Sequence, residues 1–353
     1  MAAPLPCFFE LSRPQLADRL QAWGEPRYRS DQIWRAAYHG LAASPAQITN
    51  IAKPLRDQLE AEYSFGSLTP VADLRSSDRQ TRKILFGLPD GMQIEAVLMG
   101  YEKRRTICIS TQAGCAMGCV FCATGQMGFR RHLSAGEIVE QVLWFARELK
   151  RGGDQLTNIV IMGMGEPFHN YEATMTAVDR LNDPDGFNFG ARRMTISTVG
   201  LVPMIERFAL EKRQVNLAVS LHAATDDLRS ELLPINKKYP LAELFAAVRR
   251  YYETTRRRVT FEWALIQGKN DTPLQARALA ALAAGLPCHV NIIPLNPTRD
   301  YAGQATTRER AAAFKAELEA RGLPCTIRVR RGIDIDAGCG QLAVRVEARP
   351  PAA

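Results

Sequence analysis

Four cysteines fall within the fifteen residues CISTQAGCAMGCVFC, 108–122. Cys115, Cys119 and Cys122 are spaced C-x3-C-x2-C, and Cys108 stands seven residues upstream, in no metal-knuckle spacing. Thiolates this close on one loop hold soft metals. Zinc is one reading, but structural zinc wants four closed ligands, often as C-x2-C pairs, and no second pair is present. Three thiolates on a tight loop suit a [4Fe–4S] cluster with one iron left open. A further thiol, Cys339, lies in GIDIDAGCGQLAV between two glycines. A lone late cysteine is ordinarily a small packed residue. The flanking glycines instead predict exposed, mobile backbone, which suits a reactive thiol. Cys7, Cys288 and Cys325 have no such setting and read as packing or surface residues.

A frame must bring these residues together. From about residue 104 short apolar runs alternate with amphipathic helices. Candidate strands are TICIS (106–110), NIVIM (158–162), MTIS (194–197), VNLAVS (215–220), VTFEWAL (259–265), HVNII (289–293) and CTIRV (325–329). Spacings of roughly 30 residues predict βα units and a parallel sheet, and about 240 residues suit a partly closed barrel. Ser134-Ala135-Gly136-Glu137 is a capping box, opening a helix with Ile138, Val142, Phe145 and Leu149 inside. GMGEP (163–167), STVG (197–200), SLH (220–222) and PLNP (294–297) follow or end successive strands. In βα barrels the site is built on that edge. Upstream, residues 1–75 predict a helical lobe. Ser12 caps a first helix, Ile33, Trp34, Ala37, Tyr38 and Leu41 share the face of a second, and Ser44-Pro45-Ala46-Gln47 is a second capping-box pattern. A further helix is predicted over 54–63. TRKILFGL and MQIEAVLM flank Pro89-Asp90-Gly91, a hairpin signal that sets 76–103 apart as a β extension, with 104–353 the barrel.

C-x3-C-x2-C directly after a first barrel strand, followed by FCATG, resembles the radical S-adenosylmethionine (SAM) superfamily. That resemblance implies an open iron that binds the amino and carboxylate groups of SAM, and an electron that cleaves SAM to a 5′-deoxyadenosyl radical. It gives Gly165 and Glu166 to the SAM amino group, and Ser197, Ser220, Leu221, His222 and Asn296 to further SAM contacts. Through YRSDQIW, RVTFEWALI, INKKYP, VNIIPLNP and DIDAGCGQL the chain is similar, over nearly its whole length, to the radical SAM adenine-C2 RNA methyltransferases of RlmN type. The family usually has alanine where this chain has Gly338, a change expected to loosen the loop.

Adenine C2 is electron-poor and does not attack the SAM methyl group directly, and the resemblance implies a route that consumes two SAM per turnover. Cys339 takes a methyl group, the radical removes hydrogen from it, and the carbon radical adds to C2, joining protein to RNA. Glu95, which without the resemblance reads as a solvent-facing strand residue, corresponds to the proton acceptor. Cys108 corresponds to the thiol that releases the product, leaving a disulfide for external thiols to reduce. The implied substrates are a 23S rRNA adenosine at the peptidyl transferase centre and the adenosine 3′ of the tRNA anticodon, with an external electron donor.

The formal charge of +8 and recurrent basic pairs, from Lys103-Arg104-Arg105 to Arg330-Arg331, fit a polyanionic partner. A target base must leave its stack to reach the radical. No apolar run reaches a bilayer's length, and no secretory pattern opens the chain, so a cytoplasmic protein, monomeric by default, is expected. Two other readings stand beside this one. A relative that methylates C8 of the same rRNA adenosine, conferring antibiotic resistance, shares the cysteines. A zinc-bearing RNA-binding protein would make the spacing and Cys339 coincidences.

Overall fold

The computed structural model describes residues 5–344. The strands are β1 (Thr69–Arg75), β2 (Thr81–Gly87), β3 (Gln93–Tyr101), β4 (Arg104–Ile109), β5 (Gln112–Gly114), β6 (Phe129–His132), β7 (Asn158–Ile161), β8 (Met194–Thr198), β9 (Asn216–Ser220), β10 (Val259–Leu265), β11 (Cys288–Pro294) and β12 (Cys325–Ile327). Ten of them form one sheet in the order β1-β2-β3-β4-β7-β8-β9-β10-β11-β12, and β5 pairs with β6. From β4 to β12 the neighbours are parallel. All seven predicted strands are therefore present, as an α/β partial barrel whose seventh strand is only three residues long. Ile107, Ile159, Ile196, Leu217, Phe261 and Val290 are fully buried at successive strands, as expected of parallel strands covered by helices.

The β extension continues this sheet. β3 pairs antiparallel with β4, placing Val97 opposite Cys108, and β2 pairs with β3, placing Lys83 opposite Val97 and Leu85 opposite Glu95. Paired residues point to one face, so Lys83, Glu95 and Cys108 share it. The hairpin around Pro89-Asp90-Gly91 is present. β1 has no counterpart in the sequence reading: its TPVADLR run is almost wholly exposed and contains Pro70, and it forms as an edge strand with a register shift near that proline.

Helix Ala135–Arg151 begins at the predicted capping box. Ser134 Oγ accepts from Glu137 N–H at 3.2 Å, and Glu137 Oε2 accepts from Ser134 N–H at 2.9 Å. Ser12 forms the same reciprocal pair with Gln15. Ser44 does not. Only a single 3-10 turn, Pro45–Gln47, follows it, and Gln47 Oε1 accepts instead from Ala43 N–H at 2.9 Å. The front helices Arg13–Ala22, Tyr28–Tyr38 and Lys53–Glu62 enclose Phe8, Phe9 and Phe65, with Phe8 stacked on Phe65 at 4.3 Å. Arg147 joins this lobe to the barrel by donating to Leu41 O and Ala42 O, both at 3.0 Å. Among the described residues no helix is long and apolar enough to cross a membrane.

Candidate active site

One cleft at the C-terminal strand edge, enclosing about 1000 Å³ with the solvent at its mouth included, is lined by Cys115, Cys119, Cys122, Gly165, Glu166, Ser197, Ser220, His222, Asn296 and Cys339. Strand tips from β7 to β11 contribute side by side, which requires the sheet to curve around the cleft. Leu221 is fully buried and is not in that wall; its N–H donates to Glu262 O at 3.0 Å.

The three loop cysteines hang from tight backbone geometry. Cys115 N–H bonds Gly128 O at 3.1 Å and Cys122 N–H bonds Cys119 O at 3.1 Å. Gly114 has φ +73, and a Cβ there would lie 1.9 Å from Gly128 O, so β5 and β6 can close only on glycine. Behind the loop, Phe121 packs edge-on to His222 at 4.9 Å and joins Val199, Leu232, Leu233 and Leu295 in a small apolar cluster. Burial pushes the Cys115 thiol up to about 12, and burial with the neighbouring thiols pushes Cys119 well above its ordinary value. A metal binding here must displace these protons. Among the described residues no three His, Cys, Asp or Glu side chains stand close enough to grip a single metal ion. Three thiols around one cleft wall, with room beside them, fit a larger iron–sulfur group.

Glu166 is 4% exposed. Its Oε1 accepts from Phe168 N–H at 3.0 Å and its Oε2 from Val199 N–H at 2.9 Å. Burial outweighs these bonds and pushes the carboxyl up to about 7. Gly165 has φ +100, and any Cβ there would meet Gln112 at 2.5 Å. Ser197 Oγ and Ser220 Oγ are 3.1 Å apart. His222 Nδ1 accepts from Ala264 N–H at 2.9 Å, and burial pushes its pKa down to about 3, so the ring is neutral with its proton on Nε2. Two buried acceptors have no hydrogen-bond partner: Asn296 Oδ1, and Glu262 Oε2, which has only the Arg328 guanidinium at 3.9 Å. Orphan acceptors on a cleft wall fit a ligand that brings donors.

Cys339 also lines a second cavity, with Cys108, Met99, Tyr101 and Arg328. The thiol is exposed, while the protein atoms crowding the cleft still push its pKa up; Arg328 opposes them. Cys108 is pushed up to about 12 by burial. Gly338 is buried, and a Cβ there would come within 2.6 Å of Asn296 and Gln341. Gly338 thus lies where the movable ends of two side chains close in. Glu95 stands apart from both cavities' walls, 1% exposed, in a neighbouring one with Lys83 and Asp336. It pairs with Lys83 Nζ at 2.9 Å and accepts from Ala343 N–H at 3.0 Å. Its carboxyl is pushed up by burial and pulled back by Lys83.

Residues 109–280 match the family model of the radical SAM superfamily, and residues 8–64 that of the ribosomal RNA large subunit methyltransferase N-terminal domain. A probable dual-specificity RNA methyltransferase RlmN from Chloroflexus aurantiacus is 50% identical, covering 96% of this chain and 93% of that protein. The dual-specificity RNA methyltransferase RlmN 1 of Myxococcus xanthus is also 50% identical, over 97% and 95% respectively. The crystal structure of a radical SAM methyltransferase from Sphaerobacter thermophilus has a TM-score of 0.93 at 52% identity, covering 96% of this chain and 99% of that one. The chain belongs to the RlmN family of radical SAM methyltransferases.

Some residues of this RlmN-family site escaped the sequence reading. Glu262 lies inside the FEWALI run, where an acidic residue among apolar ones is itself a signal of a buried role. It is 4% exposed, and Asn291 Nδ2 donates to its Oε1 at 2.9 Å. Lys83 carried a similar signal in TRKILFGL. Arg328 sits among other arginines and offered none.

Proposed function

We propose that this chain methylates C2 of adenosine in 23S rRNA and in tRNA, with Cys339 as the methyl carrier. What supports the reading most is a single observation: Cys339 lines both the cleft beside the three loop cysteines and the cavity that holds Cys108. Cys122 of the loop lines both as well, and Cys339 is the thiol outside that loop that borders a cofactor side and a second-thiol side. The RlmN names of the full-length relatives point to the same RNA substrates.

Cys115, Cys119 and Cys122 would hold a [4Fe–4S] cluster. With SAM bound, that group supplies one-electron cleavage to a hydrogen-abstracting radical. Gly165 leaves space for the SAM amino group and Glu166 attracts it once charged. Ser197, Ser220, His222 and Asn296 orient the rest, His222 as a neutral donor; Leu221 contributes through its place in the strand. Cys339 acts as nucleophile toward the methyl group of a first SAM, eased by Arg328, which opposes burial of its thiolate. A second SAM is spent on the radical, giving two per turnover. Glu95 takes the C2 proton, and Cys108 attacks the Cys339 sulfur to free the product. External thiols and an electron donor reset the chain. The helices within residues 1–75 dock RNA, the 76–103 extension carries Glu95, and the protein works as a cytoplasmic monomer.

The experiment is methyl-position mapping by mass spectrometry on rRNA and tRNA fragments treated with the anaerobically reconstituted protein. Methyl groups at C2 in both RNAs are expected. Methylation at C8 overturns the C2 reading in favour of the resistance relative, and methylation of one RNA alone removes dual specificity.

A further inference from the structure

Arg229 carries a charge into the interior, at 0% exposure. Its guanidinium donates to Leu221 O at 3.2 Å, Asn236 Oδ1 at 2.8 Å, Val199 O at 2.7 Å and Ser220 O at 3.4 Å. Every one of these acceptors is neutral. The carboxylate joined to this network, Asp226, is reached through Asn236, whose Nδ2 donates to its Oδ1 at 2.9 Å. A buried cation without a direct ion pair is costly, so such a residue persists where a negative charge is due to arrive.

The surroundings indicate where that charge comes from. Arg229 belongs to helix Asp226–Leu232, whose Leu232 carbonyl accepts from Val120 N–H at 3.1 Å. Val120 directly follows Cys119, and both pack against Leu232 and Leu233. The other end of the fork holds Val199 and Ser220, which share the cleft wall with Cys119. The side chain thus ties the strand ends at Val199 and Ser220 to a helix hydrogen-bonded to the residue after Cys119, in an interior where charge is weakly screened.

We infer that Arg229 is the standing counter-cation of the iron–sulfur cluster, set behind Cys119 so that one-electron reduction is favoured. The inference rests on the reading that Cys115, Cys119 and Cys122 hold the cluster. Reduction adds one electron from an external low-potential donor and needs no proton, because the compensating charge is already in place. Arg229 is thus a positioning and tuning residue: it braces the tips of β8 and β9 and supplies a fixed positive potential to the ligand loop.

The test is a redox titration followed by electron paramagnetic resonance on the anaerobically reconstituted full chain. Arg229→Gln keeps amide donors and removes the charge; Arg229→Lys keeps the charge and loses the planar fork. Arg229→Gln is expected to shift the midpoint potential to a more negative value, with Arg229→Lys staying close to the unsubstituted chain. Equal potentials in the Gln variant and the unsubstituted chain overturn the inference, as does an equal shift in both variants. If neither variant accumulates as folded protein, the arginine is a folding brace and the counter-cation role falls. Failure of the underlying ligand reading is seen separately: Cys119→Ala would then retain as much iron and sulfide as the unsubstituted chain.

Discussion

Through Phe121 the loop from Cys115 to Cys122 packs on Val199, Leu232 and Leu295, whereas the loop carrying Cys339 reaches the core with Ile335, Ala337 and Leu342 on either side and is held at the thiol itself by hydrogen bonds. Asn296 Nδ2 donates to Cys339 O at 3.0 Å, Ala123 N–H to Gly340 O at 2.7 Å, and Lys83 Nζ to Asp336 O at 3.1 Å. Close-packed apolar contacts resist any displacement, because moving one side chain opens a void. A hydrogen bond is worth only about 1 kcal/mol net and can be exchanged for another. Ligands of a resident cofactor need the first kind of support. A nucleophile that, as proposed for Cys339, must meet a methyl group, a base and a second thiol in turn needs the second.

The sharpest division between the two loops comes from deleting a thiol in each. Cys119→Ala should abolish bound iron and sulfide and all RNA methylation. Cys339→Ala should abolish methylation as completely while leaving the iron and sulfide content unchanged. Multiple turnovers in the Cys339 variant would remove it as methyl carrier. Next in size is Cys108→Ala, expected to leave a covalent protein–RNA adduct visible on a denaturing gel. Release of free methylated RNA at the normal rate would show that Cys108 does not resolve the adduct.

Lys83→Met leaves the Glu95 carboxyl buried without its partner and should cost about 3–5 kcal/mol, much of it around the Cys339 loop. Hydrogen exchange is the check: protection should fall over residues 332–343 and hold over 115–127. Equal loss in both would erase the contrast between the supports.

On the cofactor side, pH gives a smaller and graded effect. Under the proposed function Glu166, pushed by burial from 4.5 to about 7, accepts from the SAM amino group most strongly when charged. SAM binding measured by calorimetry should strengthen several-fold as the solution passes from about pH 6 to about pH 8, and Glu166→Gln should flatten the profile. The linked stability runs the other way. Because the folded carboxyl holds its proton more tightly than the unfolded one, its contribution is full below 4.5 and is lost as pH rises through about 7. Smallest of all, Ser134→Ala should cost about 1 kcal/mol in a denaturant titration by removing the helix cap, with neither thiol loop affected.

The barrel was legible because its strands are apolar runs with turn residues at their ends; VTFEWAL, 259–265, became β10 with the predicted bounds. β1 was not, because an exposed edge strand lacks the burial pattern that reveals the others. Ser44 shows the limit of a four-residue motif: its spacing permits a cap, but the chain ends the turn after Gln47 and spends that side chain on Ala43. The C-x3-C-x2-C spacing and the strand-end tags led to one cleft, since both signals are local. Arg229 could not be found that way. In DDLRSEL it looks like a surface helix cation, and only the assembled sheet closes over it. Glu95 needed the family likeness, and its partner Lys83 needed the register of β2 against β3.

Two of the ties on the Cys339 loop span more than two thirds of the chain. Ala343 meets Glu95 across 248 positions, and Asp336 meets Lys83 across 253. Contacts so distant in sequence carry a heavy loop-closure cost and form late in folding. The segment carrying Cys339 is therefore seated only after β2 and β3 have paired. Under the proposed function, a chain still being assembled would present Cys115, Cys119 and Cys122 before Cys339 is in place, and topology would order the two halves of the chemistry in time.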